Sequence, residues 1–435
     1  MERVALIRRR GKSDWVSCQS ITENLFQCYK QVYAGSRIEE FFLDCEMSRF
    51  DVFQLAGKVK AFSPGVVVFL DHAPHPEWLI RALYECDHQN PLPRLIIHAF
   101  GDFALHSDAW IRLSNILSSA DVKFVCASPK HRDLISSFLT ASSASTSYVP
   151  FALDTDFFSF SPEIRMKSRE HIKCSHQDWV FCYAGRLSFQ KNVLALITAF
   201  STYLRQFNPD AQLWLAGPID DLGVPYLGKH PVAGSMSHDL LKMIDGCLPR
   251  GARGRVRYFG NLGIEPLREL HHASDCFVSL SAHNDEDFGM APAEAACSGS
   301  PLILSDWGGY TAFAALNRDF SESQAPVQNV PLSIGETSVA PRTVDCLRAM
   351  MRASSRPWTD SDRVAISRAA RNQFSRATVA KLLAESVSQS AKGTFNGFSP
   401  LFHQVASAFR VSAKAPFRRG EIFSQLYREV YGSYA

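Results

Sequence analysis

Two glutamates eight residues apart, Glu286 and Glu294, bracket the segment Glu286-Asp287-Phe288-Gly289-Met290-Ala291-Pro292-Ala293-Glu294. A carboxylate one turn into a helix can turn toward a neutral polyol such as a ribose, and one in the loop before it can reach the other end of the same ligand. Between them, the backbone amides from Phe288 to Ala291 fall at a helix start marked by Gly289 and Pro292. Orphan amides and the helix dipole together favour an anion there. The segment can therefore grip a sugar diphosphate. Alone, Glu294 reads equally well as a carboxylate that merely complements the helix dipole.

A second group follows the apolar run 179–184, in Gly185-Arg186-Leu187-Ser188-Phe189-Gln190-Lys191-Asn192. Gly185 permits close backbone approach, and Arg186 and Lys191 place two cations at a strand end, suited to a diphosphate. Solvated loop cations are the plainer reading. Weaker signals also follow apolar runs. Gly217 opens the turn Gly217-Pro218-Ile219-Asp220-Asp221, Asn261 sits in Gly260-Asn261-Leu262, and Gly308-Gly309 suits backbone close to a ligand. Each has a bland loop reading. His98 closes another run, with Gly101 and Asp102 in the turn beyond it, and Asp71, His72 and His75 follow the run before. Gly11 lies in the basic loop Arg8-Arg9-Arg10-Gly11-Lys12-Ser13, which can meet phosphate or only solvent.

These positions share one property: each comes just after a short apolar run. The runs at 4–7, 41–43, 66–70, 95–98, 124–127 and 147–149 alternate with helix-length segments, and so do those at 179–184, 212–216, 255–259, 276–280 and 302–305. Strands separated by helices mean βαβ units and a mainly parallel, doubly wound sheet, here twice over. Ligands of such sheets bind beyond the carboxyl ends of the strands, where strand order reverses, and a cleft between two such domains is the expected active site. The expected domains are 1–165 and 166–390. An amphipathic stripe at 422, 423, 426, 427 and 430 marks a C-terminal helical segment, 391–435. It reads as a helix packing back on the body; Lys414, Arg418 and Arg419 beside it leave peripheral membrane contact open.

Composition limits the function classes. At 435 residues the chain exceeds one core, and 46% hydrophobic with 20% charged residues is globular, not disordered. A net charge of +3 is too small to argue for a nucleic-acid partner. The 11 cysteines include no CxxC pair, so no zinc site or disulfide framework is implied. With no apolar run of membrane-spanning length, a cytoplasmic location is expected.

The motifs Gly185-Arg186-Leu187-Ser188-x-x-Lys191-Asn192, Glu286-x-Phe288-Gly289-x-x-x-x-Glu294-Ala295 and Gly308-Gly309 resemble the second domain of retaining glycosyltransferases of family 4, which have the GT-B fold. The resemblance is specific from about 180 to 310. Tyr148-Val149-Pro150-Phe151-Ala152-Leu153-Asp154-Thr155-Asp156-Phe157 resembles the family's segment entering the interdomain linker, but Phe151-Ala152 replaces its usual Asn-Gly. The glycine-rich N-terminal loop is reduced to Gly11. The resemblance implies that Arg186 and Lys191 hold the diphosphate of a nucleoside diphosphate sugar and Glu294 the ribose hydroxyls. Glu286, with amides near Phe288 to Met290, would hold the transferred sugar, and His98 matches the family's first-domain histidine. Gly11, Gly185, Gly217, Asn261 and Ala291 complete the expected donor contacts. No metal or cofactor is implied, Asp220-Asp221 being the one spot where a metal can be argued. The implied reaction moves a hexose from a UDP- or GDP-sugar to a glycan or lipid-linked acceptor in cell-envelope synthesis. The form Glu286-Asp287-Phe288-Gly289 with Pro292 is similar to bacterial mannosyltransferases. A nucleotide-sugar hydrolase or epimerase of the same fold, or a non-catalytic nucleotide-sugar-binding protein, is the alternative.

Overall fold

The structure is a computed structural model that describes residues 1–10, 16–71, 76–87, 90–101, 103–140, 146–221, 232–283, 286–334, 339–388, 395–412 and 428–434. The chain divides into two compact units. Met1–Leu153 with Phe374–Lys414 form the first, and Asp154–Gln373 with Ala415–Ala435 the second.

The first unit holds a parallel sheet of β1 (Arg3–Arg8), β2 (Arg37–Phe42), β3 (Val66–Phe69), β4 (Arg94–His98), β5 (Val122–Cys126) and β6 (Thr146–Tyr148), in the order β2-β1-β3-β4-β5-β6. Val4 to Ile7 and Val66 to Phe69 are buried throughout, as strands covered on both faces by helices must be. The covering helices carry explicit start signals. Ser48 and Asp51 form a reciprocal capping box on Arg49–Phe62, and Ser128 with Pro129 opens Pro129–Ser137.

The second unit repeats the plan with β7 (Val180–Ala184), β8 (Gln212–Ala216), β9 (Val256–Tyr258), β10 (Cys276–Ser279), β11 (Leu302–Ser305) and β12 (Val327–Val330). Its order is β12-β11-β10-β7-β8-β9, all parallel, so the order reverses between β7 and β10. Phe181, Leu213, Val278 and Ile303 pack with the helices Val193–Gln206 and Thr343–Ser354 in a closed core. At the amino ends of the strands, buried Asp275 receives three guanidinium groups. Arg165 lies at 2.5 Å, Arg169 at 3.2 Å and Arg363 at 3.2 Å. The Val180 amide donates to the same carboxylate at 2.9 Å. This cluster ties the helices Pro162–His171 and Asp360–Phe374 to the starts of β7 and β10.

All eleven expected strands are present; β12 and the short hairpin Leu332–Ile334 with Val339–Pro341 were not foreseen. The units part at Leu153, not at 165, because the charged stretch after Ser161 is a helix that packs on Ile264–Ala273 of the second unit. The chain returns to the first unit at Phe374, earlier than 391, and the helix Arg376–Ser388 packs on Val16–Val32. The last described residues, 428–434, belong to the second unit, and most of the expected C-terminal stripe lies outside the described residues. Among the described residues no helix is long and apolar enough to cross a membrane.

Candidate functional site

The loops leaving β7 and β10 meet where the strand order of the second unit reverses. Asn192, in the left-handed conformation at φ 52°, donates its side-chain amide to the Leu280 carbonyl at 2.9 Å. The Ala282 amide donates to Gln190 O at 2.9 Å. Laced in this way, the loops bring Lys191 Nζ to 2.6 Å from Glu286 Oε2, with side chains only 16% and 10% exposed. Ser281 Oγ donates to the same carboxylate oxygen at 2.6 Å. The glutamate is thus fixed on two sides before any ligand arrives.

Arg186 pairs with Asp220 at 3.0 Å across the ends of β7 and β8. The backbone beneath it is tight. Gly185 N–H donates to Ala216 O at 2.9 Å, Gly217 N–H donates to Gly260 O at 2.7 Å, and Tyr183 Oη donates to Arg186 O at 2.6 Å. A Cβ on Gly217 would lie 2.0 Å from Gly185 O, at a φ of +126°. The glycines at 185 and 217 therefore serve the approach of two strand ends to each other. Asp221 accepts from the Gly234 and Met236 amides at 2.5 and 2.7 Å and so caps the helix Ser235–Cys247. Both members of Asp220-Asp221 are thus engaged, and among the described residues no cluster of three or more His, Cys, Asp or Glu side chains could hold a metal.

The helix after β10 runs Met290–Cys297, with Gly289 at its start in a φ of +109°. Pro292 is its third residue, not its first. A Cβ on Gly289 would come within 2.6 Å of the Tyr310 ring, itself fixed by the Ser279 hydroxyl at 2.9 Å. Among the described residues the Met290 and Ala291 amides have no partner, and no side chain caps this end. Glu294 lies 12% exposed behind them, 3.9 Å from the buried His271 imidazole, and burial pushes its carboxyl up to about 8. Phe288 is 2% exposed and packs on Phe313, so its side chain serves the core. Asn261 is exposed beyond β9.

Gly308 and Gly309 answer a need within the protein. Cβ atoms there would lie 2.7 Å from Glu286 O and 2.3 Å from the Asp287 carbonyl. Gly309 N–H donates to Glu286 O at 2.6 Å. The pair lets the β11 loop press against the loop that carries Glu286.

His98 belongs to the first unit, at the carboxyl end of β4. It is buried, 2.8 Å from Tyr29 Oη, and burial lowers its pKa to about 3, so the ring is neutral. Gly11, His72, His75 and Asp102 lie outside the described residues. Ser281, Tyr310 and His271 were not singled out from the sequence. Ser281 had one signal, being the first polar residue after the buried run of β10.

Residues 165–318 match the model of glycosyl transferases group 1. An uncharacterized glycosyltransferase of Methanocaldococcus jannaschii is 29% identical over 147 residues, 34% of this chain and 32% of the relative. Mannosylfructose-phosphate synthase of Agrobacterium fabrum is 28% identical over 156 residues, 36% and 31% of the two chains. The chain spans about a third of the length of these curated relatives. The crystal structure of Anabaena HepE in complex with UDP superimposes with a TM-score of 0.61 at 16% identity, covering 89% of this chain and all of that one. At that identity the likeness speaks for the fold. The stretch that matches glycosyl transferases group 1, residues 165–318, thus lies in the second of two Rossmann-like units of a GT-B fold.

Proposed function

We propose that the protein is a retaining, family 4 type glycosyltransferase that takes a hexose from a nucleoside diphosphate sugar. The observation that carries this reading is the Lys191–Glu286 pair at the reversal of strand order, followed by the Met290 and Ala291 amides, which have no partner among the described residues. A cation and two free amides offer a diphosphate its neutralising partners, and Glu286 is then available to sugar hydroxyls. Arg186, paired with Asp220, is the second diphosphate ligand, and Glu294 takes the ribose. HepE has been crystallised with UDP-glucose, and one relative is named for mannosylfructose phosphate; both fit a hexose donor.

As the glycosidic bond breaks, negative charge grows on the diphosphate and positive charge on the anomeric carbon. Preorganised cations and amides at the phosphates then supply the main catalytic effect. Because Glu286 is committed to Lys191 and Ser281, this reading gives it sugar binding and not nucleophilic attack. Retention then follows a front-face course, the leaving phosphate oxygen helping to take the acceptor's proton. No metal is assigned, since Asp220 and Asp221 each already serve another group. The acceptor in this reading is a glycan or lipid-linked glycan of the cell envelope, met on the cytoplasmic side. His98 is the catalytic residue proposed from the first unit, acting as a neutral imidazole.

Titration calorimetry with UDP- and GDP-hexoses tests the assignment. Lys191→Ala and Glu294→Ala are expected to weaken donor binding, each by roughly 1.5–3 kcal/mol, the usual worth of a hydrogen bond to a charged group. His98→Ala should keep donor affinity and lower turnover. Unchanged affinity in both of the first two variants refutes the site.

A further inference from the structure

The loop that carries Glu286 is supported from below by the end of the chain. Trp307, fully buried, donates its indole N–H to His283 O at 2.6 Å, and the Glu286 amide donates to that same carbonyl at 3.2 Å. Gly308 follows at φ 52°, where a Cβ would lie 2.7 Å from Glu286 O on one side and 3.0 Å from the Tyr434 ring on the other. The corner Trp307-Gly308-Gly309 is thus a thin wall, with the Glu286 loop on one face and a tyrosine on the other. Tyr434 meets Trp307 edge-on at 5.5 Å, and Tyr431 stacks on it at 6.4 Å. The two tyrosines also meet each other edge-on at 5.5 Å. Tyr431 and Tyr434 are wholly buried and Val430 nearly so, although they sit in a single helical turn followed by one 3-10 turn. A segment this short has no helical stability of its own. Its aromatic contacts with Trp307 help to hold it.

We propose that Tyr431 and Tyr434 are positioning residues for the sugar-binding carboxylate of Glu286. Gly308 leaves this face of the corner without a side chain, and the Tyr434 ring packs 3.0 Å from where its Cβ would be, with Tyr431 stacked on Trp307 beside it. Taking a ring away opens a gap directly behind Gly308, and Glu286, hydrogen-bonded through its carbonyl to Gly309, shifts with the corner. Arg186, held by Asp220 at the ends of β7 and β8, and Glu294, inside the helix Met290–Cys297, rest on other elements and stay in place, whereas Lys191 follows Glu286. Sugar recognition therefore depends on the C-terminal turn more than nucleotide recognition does.

This inference rests on the proposed function, and the test separates the two. The probes are UDP with UDP-glucose, or GDP with GDP-mannose, whichever pair the wild type binds more tightly. Wild-type protein that binds none of the UDP-, GDP- and ADP-sugars overturns the function itself and this inference with it. Given binding, Tyr434→Ala is compared with Tyr434→Phe, which keeps the ring. Affinity for the free nucleoside diphosphate is measured by titration, and contact with the hexose by saturation-transfer NMR, as the hexose-ring signals relative to those of the base. Tyr434→Ala should hold the nucleotide affinity within about threefold while losing most of the hexose signal. Tyr434→Phe should match the wild type in both. If Tyr434→Ala does not fold, Tyr434→Leu is read in the same way. An unchanged hexose-to-base signal ratio in the Ala or Leu variant, or equal loss of nucleotide and sugar contact, overturns the proposal.

Discussion

Glu286 and Glu294 sit eight residues apart and meet different surroundings. Glu286 has a lysine and a serine hydroxyl, both at 2.6 Å. Glu294 has no such partner, and burial alone pushes its carboxyl up to about 8, so near neutral pH it holds a proton. Two ribose hydroxyls donate best to an ionised carboxylate, which means that nucleotide binding must drive that proton off. Nucleotide affinity is accordingly expected to rise between pH 6 and 8 and then level, measurable by titration calorimetry across that range; a flat profile counts against ribose binding by Glu294. Stability moves the other way. The folded value lies above the ordinary 4.5, so the folded state binds the extra proton and this residue's contribution to stability falls as pH rises from 4.5 towards 8. The types and spacing of both glutamates and both cations were legible in the sequence. Which carboxylate would find a cation was not, because Lys191 and Glu286 are 95 residues apart and only the strand order makes them neighbours.

Among the elements, the glycines are where sequence and structure part company most instructively. The sequence marks Gly185, Gly217 and Gly308-Gly309 as places where backbone can approach a ligand, but their closest neighbours are other parts of the protein. A glycine signals close approach without saying to what. Gly217→Ala combines a 2.0 Å clash against Gly185 O with a φ that L residues avoid. It is expected to destabilise by about 3 kcal/mol or more, lowering Tm by roughly 2–4 °C per kcal/mol. A thermal melt within a degree of wild type would show that β7 and β8 can separate without cost. The strands themselves were legible because buried parallel strands read as unbroken apolar runs. β12 escaped notice because Val-Gln-Asn-Val carries two polar residues in the middle of a four-residue edge strand. The start of Pro162–His171 is signalled by Ser161 and Pro162, yet the expected division at 165 cuts through this helix.

For the molecule as a whole, the two ends of the second sheet have separate tasks. The carboxyl ends carry the groups proposed to bind the ligand, and the amino ends carry Asp275 with its three arginines. Burial by itself would raise the Asp275 carboxyl, but Arg165, Arg363 and Arg169 with the Val180 amide outweigh it and hold the pKa below the ordinary range. Its contribution to stability is thus present above the usual carboxylate range and is lost as pH falls through the lowered folded value. Asp275→Asn leaves buried cations unbalanced and should cost about 3–5 kcal/mol in denaturant unfolding while nucleotide affinity stays unchanged. A loss of nucleotide affinity in a folded Asp275→Asn protein would show that the two ends are coupled. The doubling of the fold was legible from the alternation of runs. The division at Leu153 and Phe374 was not, since it depends on which unit each helix packs against. The central claim, a nucleoside diphosphate sugar held at the reversal of strand order, is tested most directly by thermal unfolding of the wild-type protein with UDP-, GDP- and ADP-sugars and the free nucleotides. At 100 times its dissociation constant the true donor should stabilise the protein by about 2.7 kcal/mol. Stabilisation by none of them would contradict the account.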